Sequence, residues 1–151
     1  MANTQAMTTS FKGEILTATH NFGTAPIRAA TTADTFKAAL YITTATLGAA
    51  TTAYTVTGEV SGAGYTPGGV TVTNATAPAT SGTTAYWTPS ASITYSSVTL
   101  STAFDAVLIY NSSQSDKAVS VHTFGSQTIT AGTFTLLMPA NAPGTALLNI
   151  A

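Results

Sequence analysis

Apolar and hydroxyl-bearing side chains alternate in short runs along most of this chain, and the runs are broken by glycine, proline and serine. Residues Phe36 to Ile42 place Phe36, Ala38, Leu40 and Ile42 at a period of two. Helix propensity could also fit this run, but its shortness and threonine-rich flanks select a strand. Thr51 to Thr57 is rich in β-branched and aromatic residues and reads as another strand. Gly58, Gly62, Gly64, Gly68 and Gly69 then punctuate a connector before Val70 to Thr73 resumes the strand pattern. Asn74 to Thr84 reads as a low-complexity connector, and Ala85 to Trp87 as a short strand stopped at Pro89. Ile93 to Leu100 carries apolar groups on both faces, as a strand covered on both sides would.

Phe104 to Tyr110 is the most apolar run and the candidate centre of a sheet. It is joined by the polar turn Asn111 to Asp116 to a returning strand, Lys117 to Phe124, in a hairpin with a longer loop. After a turn at Gly125 to Gln127, Thr128-Ile129-Thr130 is expected to fold back across Ala131-Gly132 onto Thr133 to Met138, which Pro139 ends. Ala146 to Ile150 is a last strand. One segment has a different period: Phe11, Ile15, Ala18 and Phe22 share a helical face behind a Ser10 cap, which predicts a short helix from Phe11 to His20. Residues 1–9 read as an N-terminal arm or frayed end, and residues 10–151 as one domain. Many short strands with turn signals roughly every ten residues predict an all-β fold, a β-sandwich or jelly roll with one short N-terminal helix.

Charge narrows the picture. Charged residues are only 6% of the 151, hydrophobic ones 44%, and the net charge is −1. The whole ionic inventory is Lys12, Arg28, Lys37 and Lys117 against Glu14, Asp34, Glu59, Asp105 and Asp116. No basic patch is available to neutralise phosphates, so nucleic acid is not an expected partner, and no polybasic segment suits an anionic membrane. Threonine takes the place of charge at about a fifth of the chain. A hydroxyl-coated surface near zero net charge offers little repulsion to other copies, as in a subunit buried within an assembly. With no cysteine, disulfides and thiolate chemistry are excluded. The opening residues lack a basic start and an apolar run, so no export signal is expected. No run approaches the roughly 18 apolar residues of a spanning helix.

Candidate chemistry is sparse. Gly62-Ala63-Gly64 starts like a dinucleotide fingerprint, but Pro67 stands where a third glycine would fall and no helix follows. His20 and His122 lack any metal-ligand spacing, and satisfaction by neighbours is the expected role of each. Glu59 and Asp105 could meet in space as a carboxylate pair. The expected role of Glu59 is instead to accept backbone N–H bonds in its own loop, or to pair with Arg28 or a lysine. Tyr54, Tyr65, Tyr86 and Trp87 could stack on sugars, but filling a core or subunit interface is the stronger expectation. Asn74-Ala75-Thr76 and Asn111-Ser112-Ser113 match glycosylation acceptors by chance in so threonine- and serine-rich a chain. No catalytic residue, cofactor or metal is expected. Glu59, Gly62, Gly64, Tyr65, Tyr86 and Trp87 stand as loop or interface candidates.

In chain order, SFKGEIL, TFKAALY, TTAYTVTGEVSGAGYTPGG, AYW, AVLIYN, KAVSVHTFGS and FTLLMPANAPGTALLNIA resemble small structural proteins encoded in the virion modules of tailed bacteriophages. The match covers most of the chain, and TGEVSGAGYTPGG is its most specific part. The alanine-, threonine- and proline-rich insertion at Asn74 to Thr84 departs from it. The resemblance implies a non-enzymatic virion component assembled in a bacterial cytoplasm. A capsid decoration (cement) subunit is the first expectation, homo-oligomeric and bound to the major capsid protein or other virion proteins. The alternative it implies is a tail, neck or receptor-binding β-sandwich module that binds host glycan, with Trp87 or clustered tyrosines exposed in a groove.

Overall fold

Two antiparallel sheets carry the chain in its computed structural model, which describes residues 3–8, 10–11, 15, 19–20, 22, 33–73, 78–82 and 84–150. The strands are β1 Ala6–Met7, β2 Phe36–Ile42, β3 Val70–Thr71, β4 Ala79–Ser81, β5 Thr84–Trp87, β6 Ile93–Asn111, β7 Lys117–Leu136 and β8 Leu148–Ile150. The larger sheet has the order β1-β7-β6-β2-β3, the smaller β4-β5-β8. The chain is therefore all-β.

Alternation decides which side chains meet. On one face of the larger sheet Phe36, Ala38, Leu40, Leu100, Phe104, Val107, Ile109 and Val119 form a buried cluster that also takes in Trp87 and Leu148 of the smaller sheet. On the opposite face Ala39, Tyr41, Ala106, Leu108, Tyr110, Ala118 and Val121 pack beneath Ala45, Leu47 and Tyr54 of a long loop. The run Ala106 to Asn111 is buried on both faces, which is why it reads as almost continuously apolar. β6 is the middle strand of the larger sheet, as its sequence predicts.

β2 spans the predicted run, and β5 adds only Thr84 to its own. Other expectations are corrected. Ile93 to Leu100 and Phe104 to Tyr110 are parts of one 19-residue strand. Ile93 to Leu100 is not covered on both sides, because Thr94, Ser96 and Ser97 are exposed while Ile93, Tyr95, Val98 and Leu100 are buried. The turn at Gly125 to Gln127 and the hairpin across Ala131-Gly132 do not form, since β7 runs on to Leu136. Val98 pairs with Gly132 and Leu100 with Ile129, so β7 spends three steps where β6 spends two. The extra residue is a bulge at Ala131, whose φ is 46°. It keeps Ile129 and Phe134 on the same side, packed against the core, which a separate hairpin would leave uncovered.

Thr51 to Thr57 is not a strand. Only Ala53 bridges, to Lys117, and the segment instead lies over the second face of the sheet, with Tyr54 packed on that core. The connector at 74–84 contains β4, which turns back on β5 around Gly82 at a φ of 57°. The final strand begins at Leu148, because Ala146 is held in a turn by a bond to the Ala142 carbonyl. The segment read as an arm supplies β1, and Asn3 is buried there with its amide donating to Asp105 at 2.7 Å. The expected helix at 11–20 falls largely on residues 12–14 and 16–18, outside the described residues. Phe11, Ile15 and Phe22 from that face do pack on the core.

The glycine-rich loop touches the sheet most closely at Gly69. Its φ is 71°, and a Cβ there would overlap the Ala38 carbonyl oxygen. Gly144 has a similar φ of 79° but faces open space. Gly144→Ala is expected to cost about 1–2 kcal/mol from backbone strain alone, and Gly69→Ala clearly more, from strain plus the clash. Chemical denaturation of the two variants measures the difference.

Candidate functional site: the glycine-rich loop and the β6–β7 ribbon

β2 has β6 on one side, and on the other β3 pairs only with Lys37 and Ala38. Beyond that point the edge backbone needs other partners, since buried N–H and C=O groups are costly to leave unpaired. The loop at 58–69 supplies them. The Gly58 carbonyl accepts from Ile42 N–H at 2.9 Å, and Val60 N–H donates to the Leu40 carbonyl at 3.0 Å. Leu40 N–H donates to the Tyr65 hydroxyl at 3.0 Å, and from β6, outside the loop, the Tyr95 hydroxyl donates to the Ala38 carbonyl at 2.8 Å.

Glu59 holds this edging together. Its Oε1 accepts from the Tyr65 hydroxyl and from Gly68 N–H, both at 2.7 Å, and its Oε2 accepts from the Tyr54 hydroxyl at 2.6 Å. The Tyr110 hydroxyl donates to the Gly68 carbonyl at 2.8 Å, and Tyr54 stacks on Tyr110 with ring centroids 4.8 Å apart. The bond to Gly68 is the own-loop role expected of this carboxylate. Burial first, and then the bonded or nearby Glu59 charge, pushes the Tyr54 and Tyr65 hydroxyls well up. Burial is also the main cause for Tyr41, Tyr95 and Tyr110, the last reaching about 12. All therefore remain protonated donors at neutral pH. Ionic acceptor and neutral donors make a charge-assisted clamp, and the groups in it are engaged with one another.

The other sequence candidates lie apart. Asp105 accepts from Asn3, while Glu59 serves the tyrosines, so the two carboxylates have different partners. Gly62 and Gly64 press against the Thr99 and Ser97 carbonyls of β6, where Ala63 bridges Thr99. This close approach is their role. His20 meets the Asn111 amide at 3.0 Å, and the same amide donates to Asp34 at 2.8 Å. His122 meets the Ser120 hydroxyl at 2.9 Å, so the histidines sit in separate surroundings. Burial lowers the His122 ring from 6.5 to about 4. Trp87 is only 2% exposed. With half-buried Tyr86 it lines a cavity of about 190 Å³, alongside Phe11, Phe22, Leu148 and Ile150. Among the described residues no group of three or more histidines and carboxylates could hold a metal, and no helix is long and apolar enough to cross a membrane.

Two features escape the sequence reading. Tyr41, Tyr95 and Tyr110 join Tyr54 and Tyr65 around the loop, although they lie far apart along the chain. The second feature is a ribbon made by the start of β6 and the end of β7. Its outward face shows Thr94, Ser96, Thr128, Thr130, Thr133 and Thr135, all exposed. The alternate threonines of TITAGTFT are the signal that could have located it.

No protein-family model matches the chain, and neither the curated proteins nor the solved structures contain a match.

Glu59→Ala leaves three donors without their charged acceptor and should lower stability by about 2–4 kcal/mol, read from denaturant unfolding. For His122 the folded ring titrates below its unfolded value. Its contribution is complete above pH 6.5 and is lost as pH falls towards about 4. His122→Gln should therefore flatten the stability profile across that window, and ring NMR of the parent chain should give a midpoint near 4.

Proposed function

We propose that this chain is a non-enzymatic structural subunit of a tailed-bacteriophage virion, a capsid decoration subunit that binds across capsomers. The observation that carries the reading is the β6–β7 ribbon, a broad hydroxyl face with no ionic side chain from residue 118 to the C-terminus and none from 60 to 104. Such a face carries no strong hydration shell of charge to strip away and no field to repel a neighbour. A lattice would multiply many modest contacts of this kind into tight retention. The sequence resemblance points the same way. Packing of Trp87 and Leu148 from the smaller sheet on the same cluster as Phe36 and Leu40 supports a β-sandwich arrangement for the subunit.

The glycan-binding alternative needs an aromatic platform. Trp87 is buried, and the Tyr54 and Tyr65 hydroxyls are bonded within the fold. Of the aromatic residues on which that reading rested, Trp87, Tyr54 and Tyr65 are thus engaged inside the fold, while Tyr86 lies half-buried beside Trp87 at the cavity.

Quantitative mass spectrometry of density-purified phage particles whose genome encodes this chain tests the proposal. The expected result is a fixed copy ratio to the major capsid protein and, in particle imaging, density on the outer head surface. Abundance in the lysate with absence from the particles would overturn it.

A further inference from the structure

The two outer edges of the larger sheet are treated differently. Beyond β2 the glycine-rich loop supplies partners, while β7 is met by β1 only at Ser120 and Val121. Among the described residues, the backbone of 123–136 bonds to no strand other than β6. Natural edges are usually guarded by lysine, proline, inward-pointing charge or a bulge, and of these devices this stretch has only the bulge at Ala131.

The sequence of that edge reads alike from both ends. About a point between Ala131 and Gly132, Thr130 mirrors Thr133, Ile129 mirrors Phe134 and Thr128 mirrors Thr135. The pattern looks like a hairpin, yet no hairpin forms within the chain. The bulge at Ala131 preserves the symmetry in space, since Thr128, Thr130, Thr133 and Thr135 are all exposed and Ile129 and Phe134 are both half-buried.

We propose that the free edge of β7 pairs antiparallel with the same edge of a second copy, across a two-fold axis between Ala131 and Gly132. In that register Thr130 of one copy faces Thr133 of the other, and Ile129 faces Phe134. Each of the mirrored pairs forms twice, i on j and j on i, as an isologous interface gives, and each of the three matches like with like. The bulge lies on the axis, and the matched triplets extend the ladder on either side of it. An uncharged strand meets its own copy without repulsion, which favours a second copy over a charged partner. The inference rests on the reading of the chain as an assembling subunit and names how that subunit first meets itself.

Sedimentation velocity of the full chain and two variants over a concentration series tests it, with circular dichroism confirming that each is folded. The parent chain should dimerise. T130K/T133K sets Lys against Lys twice across the axis and should weaken dimerisation by about tenfold or more. T130K/T133E sets Lys against Glu twice and should restore it. A monomeric parent chain, an unaffected T130K/T133K dimer, or failure of T130K/T133E to recover would each overturn the proposal. A charge-switched dimer from a chain absent from particles would leave this pairing standing and remove only the virion reading.

Discussion

A β-sheet ends in two rows of backbone donors and acceptors, and the way each row is satisfied organises this protein. Along β2 the row is met by the loop at 58–69, which lends its own backbone at Gly58 and Val60 and a side-chain hydroxyl at Tyr65. One carboxylate, Glu59, keeps that edging in place by accepting from Tyr54, Tyr65 and Gly68 together. The loop can lie so close only because Gly62, Gly64 and Gly69 carry no side chain where they meet β6 and β2 carbonyls. The other row, along the far half of β7, is left to face outward.

The few charges of the chain follow the same asymmetry. Two of its few ionic groups, Glu59 and Asp105, are spent on internal hydrogen bonds, one fixing the loop and the other the N-terminal segment through Asn3. The ribbon at the other end has none and presents hydroxyls instead. A surface of that kind suits contact with other subunits. Phe22 meanwhile stacks on Phe36 at 4.6 Å and meets Trp87 edge-on, so these rings serve packing.

Much of the fold was legible because period and apolarity act locally. The alternation in FKAALYI gave a strand at its true bounds, and the continuous apolarity of AVLIY marked the central strand. The glycine-rich stretch was recognisable as the feature around which the chain is organised. The failures share one cause. Thr51 to Thr57 has strand propensity, but its tyrosine and backbone are drawn to Tyr110 and Asp116, so tertiary contacts override it. The Ala131-Gly132 turn has the chemistry of a hairpin, but the apolar side chains on both sides of it find cover along β6. The tyrosine cluster could not be read at all, because Tyr41, Tyr95 and Tyr110 come together only through the pairing of distant strands.

Residue-resolved amide hydrogen exchange, run at low and high protein concentration, addresses the contrast between the two edges most directly. The account predicts that the Leu40 and Ile42 amides are protected at both concentrations, since their partners lie within the chain. It predicts that amides of 128–135 pointing away from β6 exchange fast when dilute and slow down when concentrated. Fast exchange at Leu40 in the folded chain, or concentration-independent protection along that part of β7, would contradict it.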